Sequence, residues 1–222
     1  MAKYSLDIDG VVADFYNARA AVAKTLHIRS LTQPVGLSPE DLDVFMQERQ
    51  AAITNALRKY IMDDLESFYG GLDSLVSKSD LQAIHRASSM GYEVFWVSAR
   101  SFIAGQVFSA ELIDELSRIT LAWLLKNDLP ADSAHVVLTM DKASVIRDKN
   151  IRFHLDDLVP NVTSIALQTS AKVFLLRRPW NQRFVVTHPG QPNSEDSISA
   201  GAYGVEEVDS IAEFITLMQA GA

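Results

Sequence analysis

The stretch Tyr4-Ser5-Leu6-Asp7-Ile8-Asp9-Gly10-Val11-Val12 decides what this chain can be. Its apolar run over 4–8 is short and stops at Asp9-Gly10, so it reads as a strand ending in a turn. Two carboxylates, Asp7 and Asp9, therefore stand at the carboxyl end of the first strand.

Working outward, residues 14–28 are Ala-rich and predict a helix with Asp14 as its N-cap. Gln33-Pro34-Val35-Gly36 breaks that pattern, and Ser38-Pro39-Glu40-Asp41 starts a second helix, with Pro in the first turn and acids at the positive dipole end. It should run to about residue 62, with Leu42, Phe45, Ile53, Leu57 and Ile61 on its apolar side. Phe68 to Leu72 reads as a turn, followed by a helix over 73–89 and a nearly continuous apolar strand over 92–97. The same rhythm then repeats: helix 109–128, strand 135–138, helix 141–149, strand 151–155, helix 160–167 and strand 172–176. Residues 180–204 are rich in Pro, Gly, Asn and Ser and predict irregular structure before a last amphipathic helix over 210–219.

Strands alternating with helices predict an α/β fold, a parallel sheet with right-handed crossovers flanked by helices. The first crossover is too long. About 80 residues separate the first two strands, where about 30 make an ordinary βαβ unit. The surplus, 15–75, is expected to form a small helical cap inserted after the first strand, leaving 1–14 and 76–222 as the core domain.

Composition narrows the function. At 222 residues, 48% hydrophobic and 22% charged, the chain has the make-up of a globular protein with a real core. Its net charge of −8 argues against a duplex nucleic-acid binder, which needs a basic face. There are no cysteines, which excludes disulfides, thiolate catalysis and zinc-thiolate sites. With no signal-like segment and no apolar run of about 18–20 residues, no membrane association is expected and a cytoplasmic location is.

In open α/β sheets ligands gather at the carboxyl ends of the strands. There the sequence places Asp7 and Asp9, then Ser98-Ala99-Arg100, then Asp141-Lys142, then Asp156-Asp157. Crowded carboxylates require a hard cation, and an all-oxygen donor set suits Mg²⁺. A carboxylate can attack phosphorus to form an aspartyl-phosphate. A second, two residues on, can protonate the leaving oxygen and then deprotonate water. A hydroxyl and an ammonium can hold the phosphoryl oxygens.

Asp7-Ile8-Asp9-Gly10-Val11, Ser98, Lys142 and Asp156-Asp157, in that order, resemble the four motifs of the haloacid dehalogenase (HAD) superfamily. The stretch from Asp9 to Phe15, Leu121-Ala122-Trp123-Leu124 and Arg178-Pro179-Trp180-Asn181 are similar to signatures of the cytosolic and mitochondrial 5′(3′)-deoxyribonucleotidases. The resemblance spans most of the chain and is thin in the cap and in 185–205. It implies a HAD-like Rossmannoid core and a Mg²⁺-dependent phosphatase acting on a small phosphate ester, a (deoxy)nucleoside monophosphate. Asp7 would be nucleophile and metal ligand. Asp9 would be general acid/base, with its carbonyl on the metal. Ser98, Ala99 and Lys142 would bind phosphate. Asp157 would ligate the metal directly and Asp156 would stand behind it, orienting Lys142. Similar proteins are commonly homodimers, although no heptad or obvious apolar patch here supports one.

Each residue also has an ordinary reading. Asp-x-Asp-Gly alone is a turn; a calcium loop counted from Asp7 fails because Val11 and Ala18 offer no side-chain oxygen at positions five and twelve. Ser98 and the Asp156-Asp157 pair could be helix caps. Lys142 could be a solvated charge, with Lys149 competing for its role, and Arg100 could contact phosphate or face solvent. Phe15 and Tyr16, with Phe68, Tyr69 and Phe102, could line a pocket for a planar base or form the seam between cap and core. His154 and Trp96 read as structural. The expectation of a phosphatase rests on the ordered set, with sugar phosphates, nucleic-acid 3′-phosphates or a silent binding module as the other readings.

Overall fold

The computed structural model describes residues 2–25, 54–56, 58–100, 102–103, 106–181 and 204–221, with 102–103 and 106–107 described as backbone only. Six strands make one all-parallel sheet: β1 (Lys3–Leu6), β2 (Glu93–Ser98), β5 (Val136–Leu138), β6 (Phe153–Asp156), β7 (Lys172–Leu176) and β8 (Glu206–Val208). Their spatial order is β5-β2-β1-β6-β7-β8. The chain winds outward from β1 through β2 to β5, then crosses to β6 on the other side of β1. That reversal opens a crevice beside the carboxyl end of β1.

The helices, numbered along the described chain, are α1 (Phe15–Thr25), α2 (Leu65–Gly70), α3 (Lys78–Ser89), α4 (Ala110–Lys126), α5 (Lys142–Asp148), α6 (Val159–Gln168) and α7 (Ile211–Ala220). Strand alternation sorts side chains to two cores. Tyr4, Leu6, Val94, Trp96, Leu155 and Phe174 face α3, α4 and α7 through Ile84, Leu116 and Phe214. Phe95, Val97, Val173 and Leu175 face α5 and α6 through Ile146, Val162 and Ile165. Each fully buried aliphatic or aromatic side chain contributes about 1.5–3 kcal/mol, so both faces must be covered, and a parallel sheet with continuous apolar strands needs both.

Several expected boundaries move for identifiable reasons. Residues 65–70 are helix rather than the turn expected at 68–72. Asp64 caps this helix by accepting from the Ser67 amide, and burial of Phe68 and Tyr69 holds it. The helix expected from 73 begins at Lys78, because Ser77 and Asp80 form a capping box. Residues 73–75 instead run beside 12–14, with Asp14 N donating to Asp73 O and Leu75 N to Val12 O at 2.9 and 2.8 Å. The strand expected from 151 starts at Phe153, since the Ile151 amide still bonds the Ile146 carbonyl past the end of α5. β8 and a small antiparallel hairpin, β3 (Phe102–Ile103) with β4 (Gln106–Val107), were not expected from the sequence. Asp14 does cap α1, accepting from the Asn17 amide at 3.2 Å. The helix expected over 38–62 lies outside the described residues except at its end, where 54–56 and 58–63 are helical. Residues 26–53 and 57 of the expected cap, and most of the irregular stretch 180–204, lie outside them too. No helix among the described residues is long and apolar enough to cross a membrane.

Candidate active site

The site begins where β1 stops. The Asp7 amide donates to the Leu155 carbonyl at 2.9 Å, which fixes Asp7 beside the end of β6. The chain then turns sharply: the Val12 and Ala13 amides both donate to the Ile8 carbonyl at 2.9 Å. Gly10 takes φ +86°, and a Cβ there would stand 2.3 Å from Asp157 Oδ2. Glycine is needed twice over, for the dihedral and for the space.

Around that turn the neighbouring strand ends deliver their polar groups. Lys142, in the first turn of α5 behind the N-cap Asp141, is buried with its ammonium 2.6 Å from Asp156 Oδ2 and 2.8 Å from Asp7 Oδ1. Lys149 is exposed at the far end of the same helix. Asp156 accepts as well from the Leu158 amide at 2.9 Å and from Asn161 Nδ2 at 3.0 Å. Ser98 ends β2 with its hydroxyl buried and, among the described residues, without a hydrogen-bond partner; half-buried Ala99 follows it. Carboxylate oxygens of Asp7, Asp156 and Asp157 lie within 4.8 Å of one another.

Burial dominates the electrostatics. It pushes Asp7 up to about 7, against the pull of Lys142 and with Asp156 and Asp9 adding repulsion. It pushes Asp157 up to about 8, with repulsion from Asp156 and Asp7. Burial would raise Asp156 also, but Lys142 and His154 outweigh it and hold that carboxyl well below the ordinary range. Lys142 is held above its usual range because the two carboxylates overcome its own burial. Two acids forced toward the protonated form beside a third ionised one are a cation site in the making. The donors are all hard oxygens, and Asp157 Oδ1 is buried without a hydrogen-bond partner among the described residues, so the set fits Mg²⁺.

The remaining expected residues fall as follows. Asp9 faces Arg100, whose Nη2 reaches Asp9 Oδ1 at 2.6 Å and whose Nε reaches both oxygens at 3.0 Å. Arg100 is buried, not at the surface. Phe15 packs edge-on against Phe68 at 5.9 Å, against the main hydrophobic core. Tyr16 lies half-buried with its ring 4.4 Å from that of Trp180. Phe102's side chain lies outside the described ones. His154 is fully buried, its Nδ1 2.7 Å from Ser5 Oγ, and burial lowers its pKa.

Sequence reasoning missed the turn after β7 as part of the site. Trp180 Nε1 donates to Asp157 Oδ2 at 2.6 Å, and Asn181 Nδ2 donates to the Asp157 carbonyl at 2.8 Å. Arg178 donates to the carbonyls of Gly10 and Val11 at 2.9 and 2.7 Å. Arg178-Pro179-Trp180-Asn181 carried the signal, a cation, an indole and an amide packed into one turn, but nothing in the sequence says which strand end they face. A separate cleft of about 660 Å³ lies at the amino ends of β6 and β7, where Arg152 and Lys172 line it. Lys172 is paired there with Glu206 at 2.9 Å, and among the described residues no carboxylate cluster accompanies it.

The fold has counterparts among solved structures. The D,D-heptose 1,7-bisphosphate phosphatase of Burkholderia thailandensis superposes with a TM-score of 0.53 at 12% identity, covering 99% of each chain. The fold is that of the haloacid dehalogenase-like hydrolases. A HAD-family hydrolase of Deinococcus radiodurans, with bound phosphate and sodium, matches at TM-score 0.55 and 12% identity over 100% of this chain and 96% of its own. A HAD-like hydrolase of Streptococcus pneumoniae matches at TM-score 0.55 and 10% identity over 99% of each. No protein-family model matches the chain, and no curated protein does. Identities this low carry the HAD-like fold and nothing of the substrate.

Proposed function

We propose that this chain is a Mg²⁺-dependent phosphomonoesterase and that its substrate is a nucleoside 5′-monophosphate. The observation that carries the reading is the meeting of Asp7, Asp156 and Asp157 within 4.8 Å, with Lys142 bridging the first two. When bound, Mg²⁺ neutralises these carboxylates and draws charge from the phosphoryl oxygens.

Asp7 attacks phosphorus, the ester P–O bond breaks, and the leaving oxygen takes a proton from Asp9. Asp9 then accepts a proton from water as the water oxygen attacks phosphorus. The bond to Asp7 breaks, phosphate leaves, and both carboxyls are restored. The unpartnered Ser98 hydroxyl, the Ala99 amide and the Lys142 ammonium hold the transferring phosphoryl group. Trp180 fixes Asp157 and Gly10 lets the first loop approach it.

For the substrate, the pair Tyr16 and Trp180 offers aromatic surface beside Asp157, suited to stacking a planar base. Residues 15–75 act as a cap that closes over base and sugar and excludes water. A panel of nucleoside monophosphates and sugar phosphates with Mg²⁺, run beside an EDTA control, tests this. Nucleotides should turn over at least about tenfold faster, a modest margin for one stacking contact. A flat or sugar-favouring profile rejects the nucleotide and leaves a phosphatase for another small ester; no metal-dependent turnover rejects the enzyme. Asp7→Asn and Asp9→Asn should each abolish hydrolysis while remaining folded, and near-wild-type turnover by either sinks the mechanism.

A further inference from the structure

We infer that Arg100 is a positioning residue that turns one chosen oxygen of Asp9 toward the reacting ester. This rests on the phosphatase reading above and goes beyond it by dividing the labour between the two Asp9 oxygens.

The geometry is unequal. Asp9 Oδ1 accepts from Nη2 at 2.6 Å and from Nε at 3.0 Å, whereas among the described residues Oδ2 accepts only the shared Nε contact at 3.0 Å. Oδ1 is thus claimed by the guanidinium and Oδ2 keeps a free direction. Arg100 is itself clamped on its other side. Its Nη1 donates to Thr120 Oγ1 at 3.0 Å, and its guanidinium lies 4.8 Å over the Tyr69 ring. A planar fork held from three sides fixes the rotation of the carboxylate it grips, which a single-point ammonium cannot do.

Exposure separates this role from phosphate binding. The Arg100 side chain is 0% exposed and that of Asp9 17%. The cation has no open edge for a substrate, while the carboxylate it holds is open. Arg100 therefore acts through Asp9.

The test exploits the leaving group. A simple alkyl phosphate needs a proton delivered to its departing oxygen; 2,4-dinitrophenyl phosphate loses 2,4-dinitrophenolate, a stable anion that needs none. kcat/KM reports events up to phosphoryl transfer to Asp7, so a later step does not mask the difference. In Arg100→Lys and Arg100→Gln, kcat/KM for the alkyl phosphate should fall about 100-fold or more, the scale of a misplaced general acid. For 2,4-dinitrophenyl phosphate it should fall less than about fivefold. Arg100→Lys keeps the charge and should not rescue. Thr120→Val, which loosens the fork and leaves the ion pair, should reproduce the same selectivity in weaker form and covers the case in which both Arg100 variants fail to fold. Equal losses on both esters would overturn the inference and leave Arg100 a structural ion pair. So would undiminished alkyl-ester turnover. A wild-type chain inactive on every ester would instead reject the phosphatase reading itself.

Discussion

Gly10→Ala is the sharpest perturbation the structure offers. The φ of +86° costs a residue with a Cβ about 1–2 kcal/mol. The new methyl would lie 2.3 Å from Asp157 Oδ2, 2.7 Å from its Cγ and 2.9 Å from Oδ1. Restoring ordinary contact requires the carboxylate to retreat by about 1 Å. It is not free to do so, because Trp180 Nε1 holds Oδ2 at 2.6 Å and Asn181 holds the Asp157 carbonyl. Breaking the indole bond leaves a buried carboxyl oxygen unsatisfied and costs about 1–3 kcal/mol. Alanine returns about 0.4–1 kcal/mol by stiffening the unfolded chain. The net loss is about 2–4 kcal/mol, with Asp157 displaced from Asp7 and Asp156. Urea denaturation, with and without Mg²⁺, measures both consequences. The wild type should gain stability as Mg²⁺ binds the folded state, and the variant should lose most of that gain. A Gly10→Ala chain within about 0.5 kcal/mol of wild type, with an equal Mg²⁺ increment, would refute the packing argument; that margin is the scatter expected of an uninvolved surface position.

Three other outcomes follow from the same site. Trp180→Phe keeps the aromatic contact with Tyr16 but removes the donor to Asp157, and should weaken Mg²⁺ binding about 10-fold or more in a metal titration, as loss of an orienting partner usually does. Lys142→Met strips a buried cation from between Asp7 and Asp156 and should cost about 3–5 kcal/mol in EDTA by urea denaturation, with Mg²⁺ recovering part of it. Asp7 and Asp157 are raised to about 7 and about 8 from 3.8, so the metal-free folded chain holds protons that the unfolded chain has released. Its stability should therefore fall as pH rises through that window, by up to about 1.4 kcal/mol per pH unit for each such proton. The range from 6.5 to 8 is the clean one, because neutral His154 works the other way below its ordinary value of 6.5. A urea midpoint that rises across this range in EDTA would contradict the burial of the acids, and Mg²⁺ should flatten the slope by favouring the ionised ligands.

The parallel sheet was legible in the sequence because its strands are buried on both faces and read as unbroken apolar runs, as Tyr92 to Val97 does. Lys172 to Leu176 reads the same way. β8 escaped because it is three residues long at an edge and carries Glu206 and Glu207, a pattern that no periodicity rule separates from a loop. Of the site, what could be read was which residues end strands: Asp7, Ser98, Asp156 and Asp157 do so or follow directly, Lys142 opens the helix after β5, and the sheet order brings these elements together. Arg100 shows what could not be read. Whether a cation two residues past a strand points outward or folds back onto Asp9 depends on Thr120 and Tyr69, from two helices distant in sequence. The Trp180 bond to Asp157 is hidden for the same reason, since a donor's partner across 23 residues leaves no periodic trace.

The placement of β1 at the middle of the sheet has a consequence for synthesis. It is made before both of its neighbours: one of its edges waits for β2 at residues 93–98 and the other for β6 at 153–156. Until those segments are made, the nascent chain carries an unpaired apolar strand edge, the kind of surface that recruits wrong partners. Closure of the second edge comes only with the segment that supplies Asp156 and Asp157, so the chain gains its buried centre and its acidic cluster in the same act.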